Sequence, residues 1–316
     1  MNDKKILILG GAGYLGSVFT EHLLREKFKV TVIDRFIFGQ DSLNHLCHDQ
    51  NLDILNSDVR NLLNIKKYVA ESDIIFPLAA YVGAPLCNKD PIGADLINHK
   101  SIIDLLSIIS NNQYLIMPTT NSAYGTGNEN NYCDENSPLN PISKYAIDKV
   151  EIEKKLMERE NSISLRLATV FGMSPRMRLD LLVNDFVYRA FKDKYVVLFE
   201  SHFKRNYIHV KDVSKAFLHS MNNFEMMKGQ IYNVGLSNAN LSKLELCKLI
   251  KKYIKDFVIL EENLKKDEDQ RNYIVSNEKI EKTGYLPDYS VDDGIKELIK
   301  GYAYLQKTGH SNIWKK

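Results

Sequence analysis

A tyrosine and a lysine stand four residues apart at Tyr145 and Lys149, and Thr120 precedes the tyrosine by 25 positions. On a helix, residues four apart share a face, about one turn from each other. A free phenol ionises near pH 10, too high for a base at neutral pH. A nearby ammonium favours the phenolate and draws that pKa down. A hydroxyl such as that of Thr120 can share a hydrogen bond with the phenol and with a substrate hydroxyl. Three such groups can remove a proton from an alcohol while a hydride leaves the same carbon. The Tyr–Lys spacing is common on helices, so the surrounding elements must decide whether it does chemistry.

The first 35 residues supply a reason for hydride chemistry. Ile6-Leu7-Ile8-Leu9 is a short apolar run suited to a strand buried on both faces. It leads into Gly10, Gly13 and Gly16, a GxxGxxG pattern, followed by a helical segment from Tyr14 to Glu26. A second strand, Lys29 to Ile33, ends in Asp34, with Arg35 beside it. Glycine permits a tight turn and a close backbone approach to a pyrophosphate. The helix N-terminus offers free N–H groups and a positive dipole end. An acid at the end of the second strand accepts bonds from the adenosine ribose diol and repels a 2′-phosphate, which favours NAD over NADP.

The alternation continues along the chain. Strands are expected at Leu52–Leu55, Asp73–Phe76, Tyr114–Met117 and Ser162–Leu167, and helices at Asn61–Ala70, Ala94–Ser110 and Ile142–Glu160. A polar loop is expected over about 125–141. Repeated βα units imply an α/β fold with a doubly wound parallel sheet. Ligands of such sheets sit beyond the carboxyl ends of the strands, where Thr120 falls. The 316 residues suffice for one large or two moderate domains. A net charge of +2 gives no argument for nucleic acid or a membrane as partner. Cys47, Cys87, Cys133 and Cys247 are scattered, without a CxxC pair, and read as reduced thiols rather than metal ligands. With no leader-like segment before Ile6 and no long apolar run, a cytoplasmic location is expected.

Taken together, Gly10/Gly13/Gly16, Asp34, Asp58, Leu78-Ala79-Ala80, Thr120, Tyr145/Lys149 and Arg166-x-x-x-Val170-x-Gly172 resemble the extended short-chain dehydrogenase/reductases. More narrowly they resemble the NAD-dependent nucleotide-sugar epimerases and dehydratases. The resemblance implies a Rossmann domain over 1–171, rejoined by the chain around 206–235, and a smaller α/β domain over 172–316 mainly for the sugar nucleotide. It implies Tyr145 as acid/base, Lys149 on the nicotinamide ribose and Thr120 orienting the reacting hydroxyl. Asp58 and Val59 would hold the adenine, and Ala79, Ala80 and Asn98 would line the cofactor. Tyr14, Leu15, Leu78, Thr119, Ala168 and Val170 join the expected cofactor positions. Pro77 stands where the family often has His. A homodimer through the 94–110 and 142–160 helices is the family expectation.

The expected substrate contacts are Thr120, Asn121, Ser122, Thr169, Arg176, Arg178, Asn184, Arg205 and Arg271. Arg271 falls where the family places an arginine on the diphosphate, and a planar guanidinium suits phosphate oxygens. His209 reads as a structural hydrogen-bonding residue. The segment from Lys265 to Asp269 reads as a solvated loop, and that after Gly309 as a tail. Family 4,6-dehydratases carry an Asp-Glu pair directly after the catalytic Thr; here those positions are Asn121 and Ser122, neither of which exchanges protons near neutral pH. Dehydration is therefore not expected, leaving epimerase, reductase or 4-dehydrogenase. The runs Pro77–Cys87 and Ser174–Asn184 look like enzymes that oxidise C4 of GDP-D-glycero-D-manno-heptose in capsule assembly, which favours a GDP-sugar. A non-catalytic dinucleotide sensor would be free to lose Tyr145, Lys149 or Thr120; all three are present.

Overall fold

A computed structural model describes residues 3–39, 41–126, 132–262 and 271–305. The run from Lys265 to Asp269, the tail after Gly309 and part of the 125–141 loop lie outside the described residues.

The centre is a seven-stranded sheet, parallel throughout, built from β1 (Lys5–Leu9), β2 (Lys29–Asp34), β3 (Leu52–Asn56), β4 (Ile74–Pro77), β5 (Tyr114–Thr120), β7 (Ser162–Leu167) and β11 (Gln230–Val234). In the chain, though not in this sheet, the short β6 (Tyr132–Cys133) falls between β5 and β7. The strand order is β11-β7-β5-β4-β1-β2-β3, so the order reverses at β1. Among the described residues, three small sheets accompany it: β8 (Thr169–Phe171) with β10 (Lys204–His209) and β12 (Asn240–Ser242), β9 (Tyr195–Phe199) with β13 (Val258–Glu262), and β6 with β14 (Ile274–Val275).

The apolar run of β1 explains its central place. Ile6 and Ile8 pack with Phe19, Leu23, Phe217 and Met221 on one face, and Leu7 and Leu9 with Ile65, Val69, Ile102 and Ile152 on the other. Those side chains come from α1 (Tyr14–Arg25), α2 (Leu62–Ala70), α5 (Ser101–Ile108), α6 (Lys144–Leu156) and α8 (Val210–Asn222); α3 (Ala84–Lys89), α4 (Pro91–Asp95) and α7 (Leu182–Lys192) stand between them in the chain and supply none of them. A third apolar cluster, around Val187, Leu246, Ile295 and Leu298, forms the core of the C-terminal part. No described helix is long and apolar enough to cross a membrane.

Several elements differ from the sequence reading. The long helix expected over 94–110 is three pieces, α4, a single π-type turn at Leu96–Lys100, and α5. Asp90 caps α4 by accepting from the Gly93 N–H, so the helical segment starts earlier, at Pro91. Helix α3, just before it, was not expected. The 142–160 helix is shorter, because Ser143 caps α6 by accepting from the Ala146 N–H. Strand β5 runs on through Pro118 and Thr119, so Thr120 is its last residue rather than the first beyond it. Its pairing with β4 covers only Ile74 and Ile75, while its pairing with β7 reaches Leu167. The two neighbours therefore part towards their carboxyl ends, which opens the crevice such sheets use for ligands.

Candidate active site

The glycine turn follows β1 directly. Gly10 has φ +89°, and a Cβ there would lie 2.5 Å from the Ala79 backbone nitrogen, so only glycine fits between the two strand ends. A Cβ on Gly16 would stand 2.3 Å from the Gly10 carbonyl oxygen, which explains how α1 closes so tightly on the turn. Asp34 ends β2, and its carboxylate accepts from the N–H groups of Ala12 (3.0 Å) and Phe36 (2.8 Å). Burial pushes its pKa up; the N–H groups of Phe36 and Ala12 and the charge of Arg176 pull it back. A cleft opens over these residues, lined by Gly10, Gly13, Asp34, Arg35, Asp58, Val59 and Leu78 to Ala80. Arg35 and Arg60 both pair with Asp58, at 3.2 and 2.6 Å.

The cleft also takes in residues the sequence reading missed: Phe36 to Gly39, Ser57, Tyr81 and Ile97. Ser57 has a buried hydroxyl oxygen with no partner. The strand-end position of Ser57, one residue before Asp58, was the available signal. Glycines that no side chain could replace, a carboxylate at the second strand end and an unpaired hydroxyl fit the adenosine half of a dinucleotide. Thr120, Tyr145 and Lys149 do not line this cleft.

Those three gather at the end of β5 and the start of α6. The Thr120 hydroxyl donates to Ser122 Oγ (3.0 Å) and accepts from the Ser122 N–H (3.1 Å). Arg271 donates to the same Ser122 oxygen, which brings this arginine to the end of β5 beside Thr120. Asn121 is 1% exposed, and both of its amide atoms lack partners. Tyr145 keeps a partly open surface, yet burial pushes its phenol up to about 12; Cys87 adds to the rise, and Arg178 and Arg271 oppose it. Burial pushes Lys149 down to about 8, against the pull of Cys87 and Asp148. Its ammonium donates to the Pro118 carbonyl at 3.4 Å. The expectation that Lys149 lowers the tyrosine pKa is therefore not met: the lysine is not among the charges acting on the phenol. The cations acting on the phenol are the two arginines, and the lysine is turned to the strand backbone. Cys87, near both groups, was not expected at the site.

The structure redirects other expected contacts. Tyr14 donates its phenol hydrogen to the Gly172 carbonyl (2.7 Å) and accepts from Asn184 Nδ2 (3.3 Å), so its side chain ties α1 to the C-terminal part rather than facing a cofactor. Asn184 is wholly buried; its oxygen accepts from the Gly172 N–H and its amide donates to the Arg178 carbonyl and to the Tyr14 phenol, so its amide hydrogens are spent within the fold. Asn98 sits in the π-type turn and spends its amide on both backbone groups of Tyr81, so it holds the loop after β4 instead of lining the cofactor. Thr119 points inward to Glu153 and Ser164, at 2.9 Å each, beside the buried Arg166–Glu153 ion pair.

Ala168 is buried in the core beyond β7, while Thr169 and Val170 keep some exposure on β8. Leu15 packs between the two cores. Arg178 pairs with Asp180 at 2.5 Å. Arg205 is 1% exposed, donates to the Lys204 carbonyl and lies 5.6 Å from the centre of the Tyr273 ring, two residues from Arg271. His209 makes structural bonds, to Glu297 at 2.7 Å and to the Lys211 N–H.

The glycine turn and the strand-end acid share one cleft, and the Thr/Tyr/Lys group gathers outside its lining, at the end of β5 and the start of α6. Residues 6–235 match the model of the NAD dependent epimerase/dehydratase family. The chain belongs to that family. It is thus an NAD-dependent enzyme of the nucleotide-sugar epimerase/dehydratase type, an extended short-chain dehydrogenase/reductase. A Methanocaldococcus jannaschii protein carrying the provisional name UDP-glucose 4-epimerase is 26% identical over 310 residues, covering 93% of this chain and 97% of its own. The fold matches Pal from Bacillus thuringiensis with a TM-score of 0.85 at 19% identity, over 96% of this chain and 100% of that one. UDP-glucose 4-epimerase from Thermotoga maritima, solved with UDP-glucose, matches with a TM-score of 0.82 at 23% identity, over 95% and 98%.

Proposed function

We propose that this enzyme oxidises C4 of a nucleotide-diphosphate sugar and releases the 4-keto sugar. The sugar nucleotide is GDP-D-glycero-D-manno-heptose, and the setting is bacterial surface-polysaccharide synthesis in the cytoplasm. NAD, when bound, accepts the hydride from C4. Tyr145 takes the hydroxyl proton, Thr120 aligns that hydroxyl, and Lys149 holds the nicotinamide ribose. Arg271 and Arg205, which border the same 271–273 segment, hold the diphosphate side of the substrate, with Arg178 close to the phenol. Residues 1–171 serve NAD and 172–316 mainly serve the sugar nucleotide. Two copies pair through the 94–110 and 142–160 segments, where Ile147 is 38% exposed.

One observation carries the reaction type. Asn121 and Ser122 follow Thr120, Ser122 is engaged by Arg271, and neither can exchange a proton to expel water from C5–C6. The heptose and the guanine rest on the likeness of the Pro77–Cys87 and Ser174–Asn184 runs to the heptose 4-dehydrogenases. The second reading is a 4-epimerase with tightly bound NAD, favoured by the names of the relatives.

The test is incubation with GDP-manno-heptose and an added keto-acid acceptor, then trapping with borodeuteride. Deuterium at C4 is expected. A C4-inverted sugar formed without acceptor or deuterium would make the enzyme an epimerase. A deuterated 6-deoxy product would overturn the reading of Asn121 and Ser122.

A further inference from the structure

Arg176 is 6% exposed, and its guanidinium is only partly satisfied. Nη1 donates to the Met177 carbonyl at 3.2 Å, whereas Nε and Nη2 are buried without partners. Nε–H and one Nη2–H lie side by side on one edge of the planar fork, the edge that grips two oxygens of a carboxylate or phosphate at once. That whole edge is unmet. A buried guanidinium in this condition is costly unless an anion meets it.

The surroundings say which anion. The Arg176 N–H donates to Ser174 Oγ, and Ser174 Oγ donates to the Tyr14 carbonyl and contacts Ser17 Oγ, so the arginine is strapped to the first turn of α1. Gly13 precedes that turn and provides no side-chain cap. The guanidinium lies 4.2 Å from the centre of the Phe38 ring, and Phe38 lines the cleft above the glycine turn. Asp34, on the same cleft, feels its charge. Burial and Arg178 push the Arg176 pKa down to about 10, so it remains charged at neutral pH.

We infer that Arg176 grips the pyrophosphate of bound NAD through its Nε/Nη2 edge, completing the anion site begun by the N-terminus of α1. This moves Arg176 from the expected sugar-nucleotide contacts to the cofactor, and rests on the NAD assignment above. The arginine arrives from the segment after β8, at the crossover into the C-terminal part. Cofactor binding thereby ties that segment to the glycine turn and satisfies a donor pair that no protein group meets.

The experiment uses protein stripped of nucleotide, with calorimetric titration by NAD, UDP and GDP and a melting curve for each variant. Arg176→Met keeps the length and the packing on Phe38 but removes the donors. It is expected to bind NAD about 10- to 100-fold more weakly, to bind UDP and GDP as wild type does, and to melt no lower than wild type without nucleotide. Arg176→Lys keeps a charge without the paired edge and is also expected to lose NAD affinity. Unchanged NAD affinity in either variant overturns the inference, and so does a loss confined to UDP or GDP. If Arg176→Met does not fold, the lysine variant decides alone. Wild type that binds no NAD would overturn the cofactor reading as well, which separates the two failures.

Discussion

Replacing Lys149 by methionine should make the nucleotide-free protein more stable while abolishing its activity. Lys149 is 4% exposed, and the bond it makes is a long one, 3.4 Å, to the Pro118 carbonyl. Burial brings its pKa from 10.5 to about 8. At 1.36 kcal/mol per pH unit, keeping that ammonium charged costs the folded state about 3 kcal/mol. Below about pH 8 both states carry the proton and the full cost applies. Between pH 8 and 10.5 the unfolded chain binds more protons than the folded one, so wild-type stability rises with pH through that window. The bond to Pro118 returns about 1 kcal/mol, which leaves a net gain for Lys149→Met of about 2 kcal/mol at pH 7. With an unfolding entropy of about 2.1 cal/mol/K per residue, that gain raises Tm by about 3 °C. Calorimetry of nucleotide-free wild type and variant at pH 7 and pH 10 measures it. The gap should be clear at pH 7 and shrink at pH 10. A variant less stable than wild type at pH 7, or a gap that ignores pH, would refute the picture of an unmatched buried cation.

Two further outcomes follow from the site. Tyr145→Phe should fold and bind NAD but lose about 10²- to 10⁴-fold in kcat, since the ring stays and the proton acceptor goes; near wild-type turnover would remove Tyr145 from the chemistry. Asp34→Ala should narrow the preference for NAD over NADP, measured as the ratio of Kd values, because the carboxylate faces the cleft at the end of β2. Wild type that already binds both cofactors equally would mean that Arg35 outweighs it.

The elements were legible because their signals are local. The apolar run of β1, the glycines and the acid at Asp34 lie within 35 residues, and each has a stereochemical reason that needs no distant partner. The π-type turn was not legible: Leu96 to Lys100 carries the same apolar spacing as a plain helix, and the bonds from Asn98 to the Tyr81 backbone that accompany the turn join residues 17 apart. Side-chain direction was the main loss. Tyr14 and Asn184 each fall at a position suited to a ligand, but their partners are each other and Gly172, 158 to 170 residues along the chain from Tyr14. Spacing places a residue on an element; only packing decides whether its polar atoms are already spent.

The same distinction identifies where ligand chemistry has been left open. Asn184, Asn98 and Thr119 are buried and hydrogen-bonded, as buried polar groups normally are. Asn121, Arg176 and the Ser57 hydroxyl are buried with unmet polar atoms, and Ser57 lines the cleft above the glycine turn. The ionisation of the central pair points the same way. A phenol near 12 beside an amine near 8 is the wrong order for a tyrosine base, because the lysine gives up its proton first. Bringing the phenol to about 7 needs close to 7 kcal/mol at 1.36 kcal/mol per pH unit. The opposing charges of Arg178 and Arg271 are already contained in that value, so the whole shift has to come from a further cation brought to the phenol, as Lys149 would be if it left the Pro118 carbonyl.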